Sequence, residues 1–234
     1  MAELKLIPKS EFDRGGDDLA LLADMCRANA LVAVKRAGSG HIGSSFSALD
    51  VVVHLLWLEL NVAQVGWDDP NRDVFFSSKG HDVPGLYAAL HALGVLTPEQ
   101  LLRLRRLGGL DGHPDIGVPG IEANSGSLGM GISKGRGIAW AKRFLGRGGR
   151  VVVMTGDGEL QEGQNFEALQ AAAAHVRERS CERVVIVAVA RLDVPAERAQ
   201  LRREVAEGED LLGRLVRLEL VAVDDRPEVP DALV

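Results

Sequence analysis

The chain has 234 residues, 46% of them apolar and 26% charged, enough for one large globular domain or one domain with a small appendage. A formal net charge of -6 argues against a nucleic-acid partner, which calls for a basic surface. Two cysteines without a CxxC pattern, Cys26 and Cys181, fit reduced thiols in a cytoplasmic protein. The N-terminus MAELKLIPKSEFDRGGDD has acids and no apolar run, unlike a signal peptide, and no stretch approaches bilayer-spanning length, so no membrane role is expected.

Residues 1–18 read as a polar lead-in to a domain over 19–234. A helix is expected from about Asp18 to Arg36, and the glycine-rich segment RAGSGHIGSS ends it. Ser47 to Leu58 is almost wholly apolar, which suits a helix inside the protein or against a partner. The short apolar piece VFFSS leads to KGH, and Pro84 then opens a helix over PGLYAALHALG. TPEQLLRLRRLG reads as a capped helix with Thr97 first, proline at N1 and Gln100 at N3. Gly108 to Gly131 has little periodicity and is too long for an idle connection, so it is expected to be functional. Helix returns from about Ser133 to Phe144.

The second part alternates more plainly. VVVMTG reads as a buried strand, GDGELQEGQ as a turn, NFEALQAAAAHVRER as a helix and ERVVIVAVA as the next buried strand. A helix over Ala196 to Glu207 and a strand in RLVRLELVAVDD continue the order. Strand, crossover, strand implies an α/β fold with a mostly parallel central sheet flanked by helices.

In such sheets ligands bind beyond the carboxyl ends of the strands, where GDGELQEG falls. Gly156 and Gly158 allow a tight turn close to an anion, and Asp157 can hold a hard cation that in turn holds a diphosphate. The pattern is neither a Walker A loop nor a dinucleotide GxGxxG. His41, His81 and His113 each lie in a glycine-bordered loop, whereas His54 and His91 fall in helical segments with structural roles. Three loop histidines allow a zinc site, but their spacing is long and no cysteine or HExxH supports it, so imidazoles lining a polar cleft fit better. Lys79 adds positive charge beside His81. GSLGMG, residues 126–131, precedes a helix whose free N–H groups suit a phosphate.

In this order SGHIGSSFSALDVVVHLL, NRDVFFSSKGHDVPGLYAAL, DGHPD, GIEANSGSLGMGIS and GDGELQEGQNFEA resemble the N-terminal, thiamine diphosphate-binding domain of the transketolase family, over roughly residues 20–175. The resemblance implies a thiamine diphosphate-binding fold, with magnesium and transfer of a two-carbon ketol unit from a sugar phosphate or similar donor. It implies that Asp157 is the magnesium ligand, and that Gly156, Gly158 and Glu159 belong to the diphosphate loop. His81 and His41 then lie near diphosphate and substrate, and His113 near the substrate carbonyl. Gly126, Ser127 and Leu128 pass the cofactor, and Glu162 matches the carboxylate that links to the partner domain.

The sequence departs from that family in two ways. Where an asparagine-bearing segment is expected to complete the magnesium shell, this chain reads VAVARLDV, with Arg191 at that place. Asp193 can reach in as a metal ligand, Arg191 can contact the diphosphate instead, or the site has decayed. The family's pyrimidine-binding and C-terminal domains have no counterpart in the sequence, so the expected partner is a separate C-terminal subunit in a heterotetramer. The apolar Ser47–Leu58 and the Ser133–Phe144 helix are expected interface elements. Alternatives are acyl transfer to a carrier protein, as in pyruvate dehydrogenase-like systems, and a non-catalytic partner subunit.

Overall fold

A computed structural model describes residues 4–178, 184–190 and 216–222. Four strands, β1 (Val74–Ser77), β2 (Val151–Gly156), β3 (Val184–Ala190) and β4 (Val216–Ala222), form one sheet in that spatial order, with every neighbouring pair parallel. The expected α/β class and parallel sheet are thus found.

Strands β1 and β2 lack polar alternation because both of their faces are covered. Phe75, Val152 and Met154 point into a large core built with helices α2 (Leu19–Ala37), α3 (Ile42–His54) and α5 (Val83–Ala92). Val74, Phe76, Val151 and Val153 point the other way, into a smaller core with Ile132 and Ala139 of α7 (Gly131–Phe144) and Ala168 of α8 (Gly163–Glu178). Alternate residues of one apolar run therefore serve two helical layers.

Local chemistry sets the helix ends. The Asp18 carboxylate accepts from Leu21 N at 3.0 Å and caps α2. Gly38, in the left-handed region at φ 78°, closes that helix by donating its N–H to Val34 O. Two elements differ from the sequence reading near the N-terminus. Residues within the polar lead-in form α1 (Lys9–Gly15), which buries Phe12, while Ile7 exchanges two backbone hydrogen bonds with the Asn29 side chain. The apolar helix starts earlier than expected, at Ile42, and continues beyond His54 as a π-helical turn, Leu55–Glu59, closed by Leu60 N donating to Leu55 O at 2.9 Å.

Ile42–Glu59 is 18 residues long and, by length and composition, apolar enough to cross a bilayer, which corrects the expectation that no stretch comes near. Its residues Ala48, Leu49, Val51, Val52, Val53, Leu55 and Leu56 are instead buried in the main core, the ordinary place for such a helix. After α4 (Val62–Val65) and β1, Pro84 sits in the first turn of α5, as expected.

The Thr97 capping box is present in full, yet α6 spans only Pro98–Leu101 rather than running to Gly108. Beyond it the backbone turns in i to i+3 steps, and Arg105 takes φ 54° to place its N–H on Leu110 O. That turn buries Leu101, Leu104 and Leu110, so packing overrides the helical periodicity. The sequence-expected helix over 196–207 lies outside the described residues.

Candidate active site

The carboxyl ends of β1 and β2 lie side by side, with Ser77 opposite Met154 and Ser78 N donating to Met154 O at 2.8 Å. From β1 the chain continues through Ser78, Lys79, Gly80 and His81. From β2 it enters the turn Asp157–Gly158 and a 3-10 turn, Gly158–Gln161. The long segment between α6 and α7 returns over this end of the sheet, where Ser125 Oγ donates to Ser77 O at 2.6 Å.

Gly80 and Gly126 show why this crossing needs glycine. Gly80 has φ 57°, and a Cβ there would stand 2.6 Å from Gly126 N; Gly126 has φ 127°, and a Cβ there would stand 2.4 Å from the His113 ring. The 126 loop is thus pressed between the β1 end and His113. The His41 and His81 rings meet edge to face, with centroids 5.2 Å apart. His41 sits at the start of α3, where Ser45 Oγ donates to its carbonyl at 2.6 Å and also to Asp82 O at 3.2 Å. His113 is fixed through its backbone, whose carbonyl accepts from Tyr87 OH at 3.3 Å.

Partial burial lowers the His113 pKa below its ordinary value of 6.5, and the charges of Arg105, His81 and His41 lower it further. His113 is therefore neutral at neutral pH and able both to donate and to accept a proton. Next to His81, the buried Lys79 ammonium lies 3.6 Å from Asp82 Oδ2, which also accepts from Ser77 Oγ at 2.9 Å. Burial pushes the Asp82 carboxyl up, against the pull of Lys79. The Lys79 stem runs under the GDG turn, 3.4 Å from where a Cβ on Gly156 would lie.

Asp157 is exposed and uses one oxygen, Oδ1, to accept from Gly158 N at 2.9 Å. No group of three or more His, Cys, Asp or Glu comes together among the described residues. The zinc alternative for the loop histidines is therefore unsupported there. An exposed single carboxylate still fits a hard cation that draws its other ligands from a diphosphate and water. Arg191 and Asp193 lie outside the described residues. Ser127 and Leu128 are exposed beside the cleft, and Glu162 is exposed with its stem against Gly129.

Two sequence-based expectations change. Two amides of the 126–131 loop are already engaged within the protein: Gly129 N donates to Glu159 Oε1 and Gly131 N to Ser78 Oγ, both at 2.9 Å. Glu159 is 2% exposed, with its carboxylate turned into the protein. Ser78 and Asn165, which the sequence did not single out, complete that buried cluster. Nothing local in SSKGH or GQNFEA marks them, because their partners are remote in sequence.

The GDG turn and the loops of His41, His81 and His113 thus gather at the carboxyl ends of parallel strands in an α/β domain. The family "Transketolase, thiamine diphosphate binding domain" matches residues 19–179, and the chain belongs to it. One subunit of the apulose-4-phosphate transketolase of Phocaeicola vulgatus is 39% identical over 159 residues, covering 66% of this chain and 56% of the relative. Human transketolase is 34% identical over 155 residues, covering 65% of this chain and 25% of the relative. The chain thus spans a little over half of the first relative and a quarter of the second. Transketolase from Leishmania mexicana superposes with a TM-score of 0.69 at 23% identity, over 87% of this chain and 36% of that one, a likeness of fold.

Proposed function

We propose that this chain is the diphosphate-binding subunit of a two-chain, thiamine diphosphate-dependent transketolase-like enzyme that transfers a two-carbon ketol unit. The observation that carries the reading is the meeting of the 41, 81, 113 and 126 loops with the GDG turn over the ends of β1 and β2. The similarity to a protein named as one subunit of a transketolase supports a second chain, which in this reading brings the pyrimidine-binding domain and assembles as a heterotetramer.

Asp157 holds magnesium, and Gly156 and Gly158 let the backbone come close to the diphosphate. Asp193 completes the metal shell, or Arg191 takes part of its charge-neutralising role. Gly126, Ser127 and Leu128 line the cofactor. When bound, thiamine diphosphate supplies the electron sink for C–C cleavage. Around it, His41 and His81 orient an anionic donor, and His113, held neutral, moves a proton at the substrate oxygen. Glu162 links to the partner chain.

Calorimetry of the co-expressed pair tests this. Thiamine diphosphate should bind only with magnesium, Asp157→Ala should weaken binding at least tenfold, and His54→Ala should leave it unchanged. A pair that binds no cofactor, or that transfers no two-carbon unit from any of a broad panel of ketose phosphates, overturns the reading.

A further inference from the structure

The Glu159 carboxylate is met on every side by the protein. Oε1 accepts from Ser78 Oγ in a short hydrogen bond and from Gly129 N at 2.9 Å; Oε2 accepts from Gly156 N at 3.2 Å. Ser78 Oγ in turn accepts from Gly131 N at 2.9 Å. Asn165 Nδ2 donates to the Glu159 carbonyl at 2.5 Å, so the backbone of the same residue is held by the first turn of α8. Glu159, Ser78 and Asn165 are each 2% exposed or less. One residue thereby joins the end of β1, the loop leading into α7 and the end of β2 through its side chain, and the start of α8 through its carbonyl.

From this geometry we infer that Glu159 is a positioning residue: its buried carboxylate draws the 126–131 loop onto the GDG turn and so sets the shape of the cofactor cradle without touching the cofactor. The inference rests on the proposed thiamine diphosphate site, but the clamp itself is a property of this chain alone. A carboxylate suits the place because an ionised carboxylate only accepts, and three donors converge on it. An amide in its place would aim an N–H₂ at one of those donors. The three glycine amides are satisfied without water, and leaving any of them buried and unpaired is costly. Close packing holds the same junction: a Cβ on Gly131 would lie 2.2 Å from the Ser78 side chain, and one on Gly129 would lie 2.8 Å from Glu162 Cβ.

The test has two readouts on the full chain co-expressed with its partner: amide hydrogen exchange, and calorimetric titration with thiamine diphosphate and magnesium. In Glu159→Gln, exchange at Gly129, Gly131 and Gly156 should speed up together at least tenfold. Cofactor affinity should fall at least tenfold, while the exposed Glu99→Gln changes neither. Ser78→Ala, a milder cut, should speed Gly129 and Gly131 more than Gly156, and it decides the matter if Glu159→Gln does not fold. Unchanged exchange at Gly129 and Gly156 overturns the clamp. Faster exchange with unaltered cofactor affinity overturns the positioning role and leaves Glu159 merely structural. If the wild-type pair binds no cofactor, the proposed function fails by that result, and the exchange data still accept or reject the clamp.

Discussion

Helices α3 and α7 flank opposite faces of the same sheet, and they invert what their sequences suggest. The α3 segment is the more apolar, yet its buried residues fill the main core. The α7 segment carries Lys134, Arg136, Lys142 and Arg143, yet it leaves Trp140 51% and Phe144 74% exposed, their rings stacked at 5.4 Å. Leu145 and Phe166 lie exposed as well. Apolar content alone says how much must be covered, and only the fold says which part already is. Of the two helices expected at an interface, α3 spends its apolar residues on the interior and α7 keeps its aromatics outside.

The contrast can be broken most directly at Leu49. Leu49→Ala removes a fully buried side chain of α3, and chemical denaturation should show a loss of about 3 kcal/mol, in the range for buried leucine truncations. A loss under about 1 kcal/mol would mean that α3 is not core.

A second test lies beyond the far end of α3, where Arg150 joins Asp73 to the carbonyl of Glu59. Burial alone would raise the Asp73 carboxyl, but hydrogen bonds from Arg150 and from the Asn61 N–H outweigh it and hold its pKa below the ordinary 3.8. The stabilisation is therefore complete above the ordinary aspartate value and is lost as the pH falls through the depressed one. Asp73→Asn should cost about 2 kcal/mol near pH 7, and the difference from wild type should shrink on acidification below about pH 4. A difference that grows with acid would refute the sign.

The smallest effect on stability is expected at α7. Trp140→Ser combined with Phe144→Ser should change the unfolding free energy by no more than about 0.5 kcal/mol, as for exposed positions. The same double variant should weaken association with the proposed partner chain in sedimentation experiments. Full retention of the pair would remove α7 from the interface.

The fold was legible where local rules and burial agree. VVVMTG and ERVVIVAVA announce parallel strands, and Asp18 and Gly38 bracket α2 within a residue of the expected bounds. The loops bearing His41, His81, His113 and the GDG turn were legible because glycine clusters mark where backbone must turn tightly. What stayed hidden depends on distant neighbours. Glu159 is expected in the diphosphate loop, and its buried clamp stays hidden until Ser78, 81 residues earlier, is brought against it. The capping box announces α6 correctly, but nothing in its sequence says that Leu104 and Leu110 must turn inward after Leu101.

The Arg150 cluster has a consequence for how the two ends of the sheet respond to ionic strength. At the amino end of β2 the joint is a guanidinium, one-third exposed, set against the carboxylates of Asp73 and Glu59. At the carboxyl end a single buried carboxylate is met by neutral amides and a hydroxyl. Dissolved salt screens solvent-exposed charges beyond about 8 Å at physiological concentration and reaches buried groups far less. Rising salt therefore weakens the exposed Arg150–Glu59 pairing at the end of the sheet remote from the cleft, and leaves the buried junction at the cleft the better insulated of the two.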